Sequence, residues 1–454
     1  MMRMKRLSTI LAASLALLGA PASAETLDEA MRAAIEGNPS IAAERARLKA
    51  AEEAVPQARA AALPSISASA SATSSHNRLE SGAGGATIRS SSDDWSGGLS
   101  ASQTLFASGG VFANIRRAKA DVESARAQYR ATEQSFLLSV IDAYTNFREA
   151  QQIVTARQKS VDNLEVQRRY ADAQFRAGVA TRTNVAQAEA RLASARTALI
   201  QAQGALAAAN ENYRRLVGHP PEGLLPAAEA TDLPPDLPTA LNNAVSYNPT
   251  LIAARANEDS AKASLDAARS EFGPTVSLEA GSDVSSGFSD FSDRSTGSSV
   301  GVRFSIPLFT GGLNLSRARQ AGSQLLAAGL DRNAAEDQLR QDVTTAWTNL
   351  TAARAAYDSA QQNVNAAELA YKGVTLEQQV GLRALVDVFD TEDQLLSARL
   401  DLASAEHQLA LSERELLAAT GQLTAPAETV IPKKPKPRAR KAARAAVILQ
   451  SDPN

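Results

Sequence analysis

Cysteine is missing from all 454 residues, which excludes disulfides, thiolate metal sites, cysteine nucleophiles and a lipidated N-terminal cysteine. Histidine occurs only at His76, His219 and His407, scattered and without the spacing of a metal site. Serine is common, yet no enzyme constellation survives inspection. Aromatic residues make up 4%, which suits close-packed helices better than a large globular core. A formal net charge of -2 argues against whole-surface attraction to nucleic acid. Past the N-terminus there is no unbroken apolar run of the roughly 18 residues that a membrane-crossing helix needs.

What is present begins with Arg3, Lys5 and Arg6 ahead of an apolar run from Leu7 to Leu18, followed by Ala22-Ser23-Ala24. Charge, short apolar run and small-x-small site form a secretory signal peptide over residues 1–24, with cleavage expected between Ala24 and Glu25.

The mature chain is a tandem duplication. Gly178, Asn184-Val185, Glu189, Leu192 and Ser194-Ala195-Arg196 recur 203 positions later as Gly381, Asp387-Val388, Glu392, Leu395 and Ser397-Ala398-Arg399. The same offset pairs Tyr144 with Trp347 and Gly218 with Gly421, without insertion or deletion. Asn38-Pro39 and Asn248-Pro249 open the two units alike, as do Pro64 and Pro274 further on.

In each unit a glycine interrupts a long helical pattern. Leu395, Leu402, Leu409 and Leu416 recur every seven residues, as do Leu192, Leu199, Leu206 and Tyr213. Val343, Ala346, Leu350, Ala353, Tyr357, Ala360, Val364, Ala367, Tyr371 and Val374 alternate steps of three and four, the seam of two helices wound left-handedly. Each unit therefore holds an antiparallel helical hairpin turning at Gly178 or Gly381. About 65 residues of helix would make a rod of roughly 100 Å.

Between the opening helices and the hairpin lie strands. Ile66, Ala68, Ala70 and Ala72 alternate with serines, and a partner follows from Trp95 to Phe106. In the second unit Val276, Leu278 and Ala280 alternate with polar or small residues, and Val300, Val302, Phe304, Ile306 and Leu308 mark a strand over 299–308. Each unit is expected to carry two strands of about ten residues, the length that crosses a bilayer when tilted. Ser74 to Asp94 and Gly287 to Thr296 read as exposed loops. Gly82, Gly84 and Gly85 lack the strand-then-helix setting of a phosphate loop.

The expected division is a first repeat over 25–217 (helices 25–62, strands 63–106, hairpin 111–217) and a proline-rich linker over 218–238. A second repeat covers 239–421 (helices 239–271, strands 274–308, hairpin 313–420), and residues 422–454 form a basic, disordered tail. Four amphipathic strands leave edges unpaired, which lipid does not tolerate, so several chains must share one barrel. Long helices hanging from such strands would continue it as a tube.

These residues resemble the TolC family of outer-membrane efflux proteins. The resemblance spans the mature chain to about Gly421 and rests on the Asn-Pro openings, on Leu105-Phe106 before Gly109-Gly110 and Leu308-Phe309 before Gly311-Gly312, and above all on Val380 to Asp390. It implies a mixed fold, largely α-helical with a β-barrel part. Long antiparallel coiled-coil hairpins would form an α-barrel, and four strands from each of three chains a 12-stranded transmembrane barrel. It also implies a homotrimer set in outer-membrane lipid of a Gram-negative bacterium, a periplasmic adaptor protein and an inner-membrane transporter of RND or ABC type. No cofactor, catalytic residue or metal site is implied. The cargo stays open between drugs and secreted polypeptides.

Residue by residue, Asp387 and Asp390 match the family's paired aspartates at the periplasmic entrance. Their i, i+3 spacing places both on one helix face, and a threefold ring of them favours cations. Arg383 matches a basic residue that bonds across the closed entrance to a carboxylate of the neighbouring chain, where this sequence has Asn184. Gly178, Val179, Val380, Gly381 and Leu382 match the hairpin tips where adaptors dock. A surface-anchored coiled-coil adhesin is the alternative, since heptads and few strands would serve it too. It has no need of an aspartate-bearing tip.

Overall fold

The computed structural model describes residues 24–80, 87–287 and 294–425. The signal peptide up to residue 23, the three glycines at 82, 84 and 85, and the tail from 426 lie outside the described residues.

Two helices of equal length dominate. Numbered in chain order, α4 (Gly110–Arg176) and α8 (Leu313–Gln379) each have 67 residues, about 100 Å of rod. Each folds back through a short turn onto α5 (Arg182–Val217) or α9 (Leu385–Ala419). α9 also packs on α4, so the long helices lie in the order α5, α4, α9, α8. The heptad positions do the packing: Val343, Ala346, Leu350, Ala353 and Val364 are buried on α8, and Leu192, Leu199 and Tyr213 on α5. Each hairpin carries the same crossing ion pair, Glu165 with Arg196 and Glu368 with Arg399, both at 2.7 Å. Those pairs are 203 residues apart, so the duplication extends to side-chain contacts.

The opening helices are short. α1 (Leu27–Gly37) is closed by a reciprocal Thr26–Glu29 cap, and Leu27, Ala30, Met31 and Ala34 bury against Leu137, Ile141 and Tyr144 of α4. The single helix expected after Asn38 breaks at Glu53 into α2 (Pro39–Glu52) and α3 (Ala54–Ala60); Pro56, which has no N–H to donate, follows the break. In the second unit α6 (Leu237–Tyr247) begins inside the stretch assigned to the linker, because the Asp236 side chain caps it. The long α7 (Pro249–Ser270) then packs between α4 and α8. The stretch between α5 and α6 is fastened to the helices. The Tyr144 hydroxyl lies 2.7 Å from the Leu225 carbonyl and 2.9 Å from that of Glu25, and Arg414 donates to the Ala228 carbonyl. The tail begins later than expected, since Leu423 is buried and its carbonyl accepts from Gln134 at 3.1 Å.

The strands depart most from expectation. β1 (Ser65–Glu80), β2 (Thr87–Ala107), β3 (Thr275–Gly287) and β4 (Ser295–Ser305) form one antiparallel sheet in the order β1-β2-β3-β4. They run 16, 21, 13 and 11 residues rather than about ten. Most of the supposed loop from Ser74 to Asp94 is ladder, with Ser74 opposite Asp93 and Glu80 opposite Thr87. From Ser74 to Arg78 and from Arg89 to Asp94 its residues are polar on both faces, so the alternation that reveals a half-buried strand is absent there. β4 starts four residues earlier than expected, and ends two residues before Pro307, which cannot donate to a ladder.

One face of the sheet is apolar, with Ile66, Leu99, Val300, Val302 and Phe304 all exposed. The other bears hydroxyls paired across β1 and β2: Ser67 with Ser100, Ser71 with Ser96 and Ser75 with Ser92, each at 2.8 Å. Among the described residues the sheet ends at β1 and β4, each paired on one side alone.

Burial is lopsided. Helix α4 has 19 buried residues and α8, its repeat counterpart of equal length, has 9. Helix α4 is covered by neighbours from both units, whereas α8 packs on α6, α7 and α9 of its own unit alone among the described residues.

Candidate functional site at the hairpin tips

Both tips are built the same way. Gly178 at φ +75 and Gly381 at φ +81 hold left-handed backbone, a state that costs an L-residue about 1–2 kcal/mol and glycine almost nothing. The amides that follow reach back to the helix end, Val179 to the Gln174 carbonyl at 3.0 Å and Leu382 to that of Glu377 at 2.9 Å. Carbonyls left open by helix termination are thereby satisfied. Side chains with nothing to pack on then project from the turns: Val179 is 75% exposed, Val380 71% and Leu382 77%. Isolated exposed apolar residues are ordinary, but three at two adjoining turns form a surface suited to a partner.

Helix α9 brings the two aspartates to the second tip. Asp387, in its first turn, accepts from the Ala384 amide at 3.3 Å, where the positive helix end also favours it. Asp390, one turn on, is exposed, and its carboxylate lies 3.7 Å from Arg191 of the first hairpin. Arg191 also pairs with Asp393 and stands 5.9 Å from the Phe389 ring centre. Asp390 is thus partly neutralised within its own chain, and Asp387 is engaged in capping.

Sequence reading missed Arg191. It lies about 200 residues from its partners, and its repeat counterpart is the neutral Gln394, so neither local spacing nor the duplication flags it. Glu392 was read only as a repeat marker. It is buried between α4 and α9, where Asn163 Nδ2 donates to its two oxygens at 3.0 and 3.2 Å. Burial pushes its pKa above the usual 4.5, against hydrogen bonds from Asn163 and Ser160 and the charge of Arg399.

Arg383 and Asn184, expected to meet across the entrance, are each occupied locally. Arg383 Nε donates to Glu377 Oε2 at 2.8 Å across its own turn. Asn184 Oδ1 accepts from the Thr181 hydroxyl at 2.6 Å, and its amide lies over the capping oxygen of Thr181.

Among the described residues no helix is long and apolar enough to cross a membrane. A family model described as "Outer membrane efflux protein" matches residues 30–219 and 240–422, the two halves of the duplication. The outer membrane efflux protein BepC of Brucella suis is 31% identical over 421 residues, covering 92% of this chain and 90% of its own. The outer membrane protein TolC of Vibrio cholerae is 28% identical, over 87% of this chain and 90% of its own. The solved structure of the Campylobacter jejuni CmeC outer membrane channel superposes with a TM-score of 0.77 at 18% identity, over 88% of this chain and 86% of that one. With that match across both repeats, the chain belongs to the outer membrane efflux protein family, the TolC family, and is an exit channel of the Gram-negative outer membrane rather than an enzyme.

Proposed function

We propose that three copies close a ring in which β4 of each pairs with β1 of the next, giving a 12-stranded barrel from four strands per chain. The apolar face meets outer-membrane lipid and the serine face lines the pore. Below the sheet, the helices continue as a periplasmic tube, with α8 of one copy packed against α5 of the next. The observation that carries this is the unfinished state of one chain: a sheet open at β1 and β4 and a helix α8 half as buried as its twin.

At the far end the tips with Gly178, Val179, Val380, Gly381 and Leu382 dock a periplasmic adaptor. Asp387 and Asp390 of three chains ring the entrance, and Arg383 and Asn184 meet across the joint between chains when it is shut. An inner-membrane transporter of RND or ABC type feeds this end with small molecules or secreted polypeptides. Cleavage between Ala24 and Glu25 releases the mature chain, whose Glu25 carbonyl is bound by the Leu225 amide at 3.0 Å.

Planar-bilayer recording tests the reading. The wild type forms cation-preferring pores, and Asp387→Ala with Asp390→Ala lowers the ratio of potassium to chloride permeability toward one. An unchanged ratio rejects the aspartate ring. A monomer without pore activity in detergent rejects the shared barrel.

A further inference from the structure

The duplication allows the joint between chains to be read from the joint within one. Every position of α4 and α9 has a counterpart 203 residues away, on an α8 and an α5. Those two helices are the flanks of a single chain, so the counterpart contact falls between copies; this step rests on the ring proposed above. Exposure agrees: Ile200 on α5 is 67% exposed where its counterpart Ala403 is 3%.

The within-chain seam is fastened by charge along its length. Arg148 and Gln152 both bind Glu406 at 2.8 Å. His407 lies 2.8 Å from the Thr145 hydroxyl and 3.6 Å from the Asp142 carboxylate. Asn163 holds Glu392, and nearer the tip Arg191 of α5 pairs with Asp390 and Asp393. One repeat away these fastenings are gone. Arg148 and Glu406 become Thr351 and Gln203, His407 and Asp142 become Gly204 and Thr345, and Asn163 becomes Ala366. Arg191 becomes Gln394, and Asp390 and Asp393 become Gln187 and Ala190. General drift does not account for this, because the pair inside each hairpin is kept in both copies, at 2.7 Å.

We infer that the seam between chains, α8 against the next copy's α5, is the less fastened joint of the tube and the one that parts when its end widens, while the two hairpins of one chain travel together. Glu392's counterpart Glu189 is kept but has Ala366 in place of Asn163, and the other counterparts are neutral, so little is left to break on separation. Parting the within-chain seam would instead strip Glu392 of Asn163 and Glu406 of two donors.

The full-length protein in planar bilayers tests this by moving a fastening. Thr351→Arg with Gln203→Glu copies the Arg148–Glu406 pair into the joint between chains. Open probability should fall about fivefold below that of either single variant, the change an exposed ion pair near its upper strength produces. It should recover in about 1 M KCl, where the Debye length is about 3 Å. The converse Arg148→Thr with Glu406→Gln should leave open probability within about twofold of wild type. A transplanted pair that acts as the sum of its singles, or a larger effect from the converse change, overturns the inference. The ring is checked separately. Ile200→Cys with Ala355→Cys, in a chain with no cysteine of its own, should oxidise to covalent trimers. Failure to link copies removes the ring and the inference together; linked trimers indifferent to the transplanted pair remove the inference alone.

Discussion

Asn248 ties the beginning of one helix to the end of another: its Oδ1 accepts from the Thr250 and Leu251 amides at 2.9 and 3.2 Å, and its Nδ2 donates to the Ala419 carbonyl at 3.0 Å. Asn38 does the same in the first unit, with Ser40 at 2.9 Å and Leu216 at 3.1 Å. The Asn-Pro opening is therefore a double cap, starting α2 or α7 while closing the returning helix α5 or α9. Only an amide of this length offers an acceptor to one helix and a donor to the other. Asn248→Ala should cost about 1–2 kcal/mol, from a lost cap and an orphaned carbonyl. Asn248→Ser keeps the acceptor alone and should cost about half as much. Unfolding of the detergent-solubilised protein in urea would show this order, and equal losses would mean that the donor to Ala419 contributes nothing.

Gly421 and Gly218 separate backbone strain from crowding. Both end a returning helix with positive φ, +76 and +100, so an alanine strains the backbone in each by about 1 kcal/mol. A Cβ on Gly421 would lie 2.4 Å from the Tyr247 carbonyl oxygen, whereas one on Gly218 meets nothing within 4 Å. Gly421→Ala should therefore be clearly the more destabilising, by differential thermal unfolding of the two variants. Equal shifts would show that α9 and α6 adjust freely.

How much of this was legible without coordinates differs by element. The 203-residue register, the hairpins and their turns at Gly178 and Gly381 were open to reading, because heptad spacing and left-handed glycines are local properties of the chain. The upper part of β1 and β2 was not, since Ser74, Ser75, Asp93 and Asp94 offer no apolar face. What holds those residues in strand is ladder pairing continued upward from Ile66 and Leu99. The tip was half legible. Asp387 and Asp390 stood out by spacing, while Arg191, Glu377 and Asn163 became visible only once folding brought them to their partners.

Glu392 gives the within-chain seam a pH dependence of known sign. Its pKa is raised by burial, so the folded state binds its proton more tightly than the unfolded chain does. The stability it contributes is complete below the ordinary value near 4.5 and is lost as pH rises through the raised folded-state value. Glu392→Gln keeps the size and carries no charge. The variant should gain on the wild type in melting temperature as pH climbs from about 4 toward neutrality, the range that begins at the unfolded carboxylate's pKa. A constant difference between the two curves would show that Glu392 does not titrate in the folded seam.

Asn184 sets the strength of the bond proposed across the shut entrance. A guanidinium donates to a carboxylate about twice as strongly as to a neutral amide. In the single chain Arg383 already donates to Glu377, and Asn184 is held by Thr181, so neither is committed elsewhere by more than one contact. Asn184→Asp would draw Arg383 of a neighbouring copy away from Glu377 and tighten the joint between chains at its narrowest point. Single-channel conductance should fall in Asn184→Asp and return on adding Arg383→Ala, which leaves the new carboxylate nothing to hold. Equal or higher conductance in Asn184→Asp would mean that the two residues do not face each other there, and that the entrance is closed by other contacts.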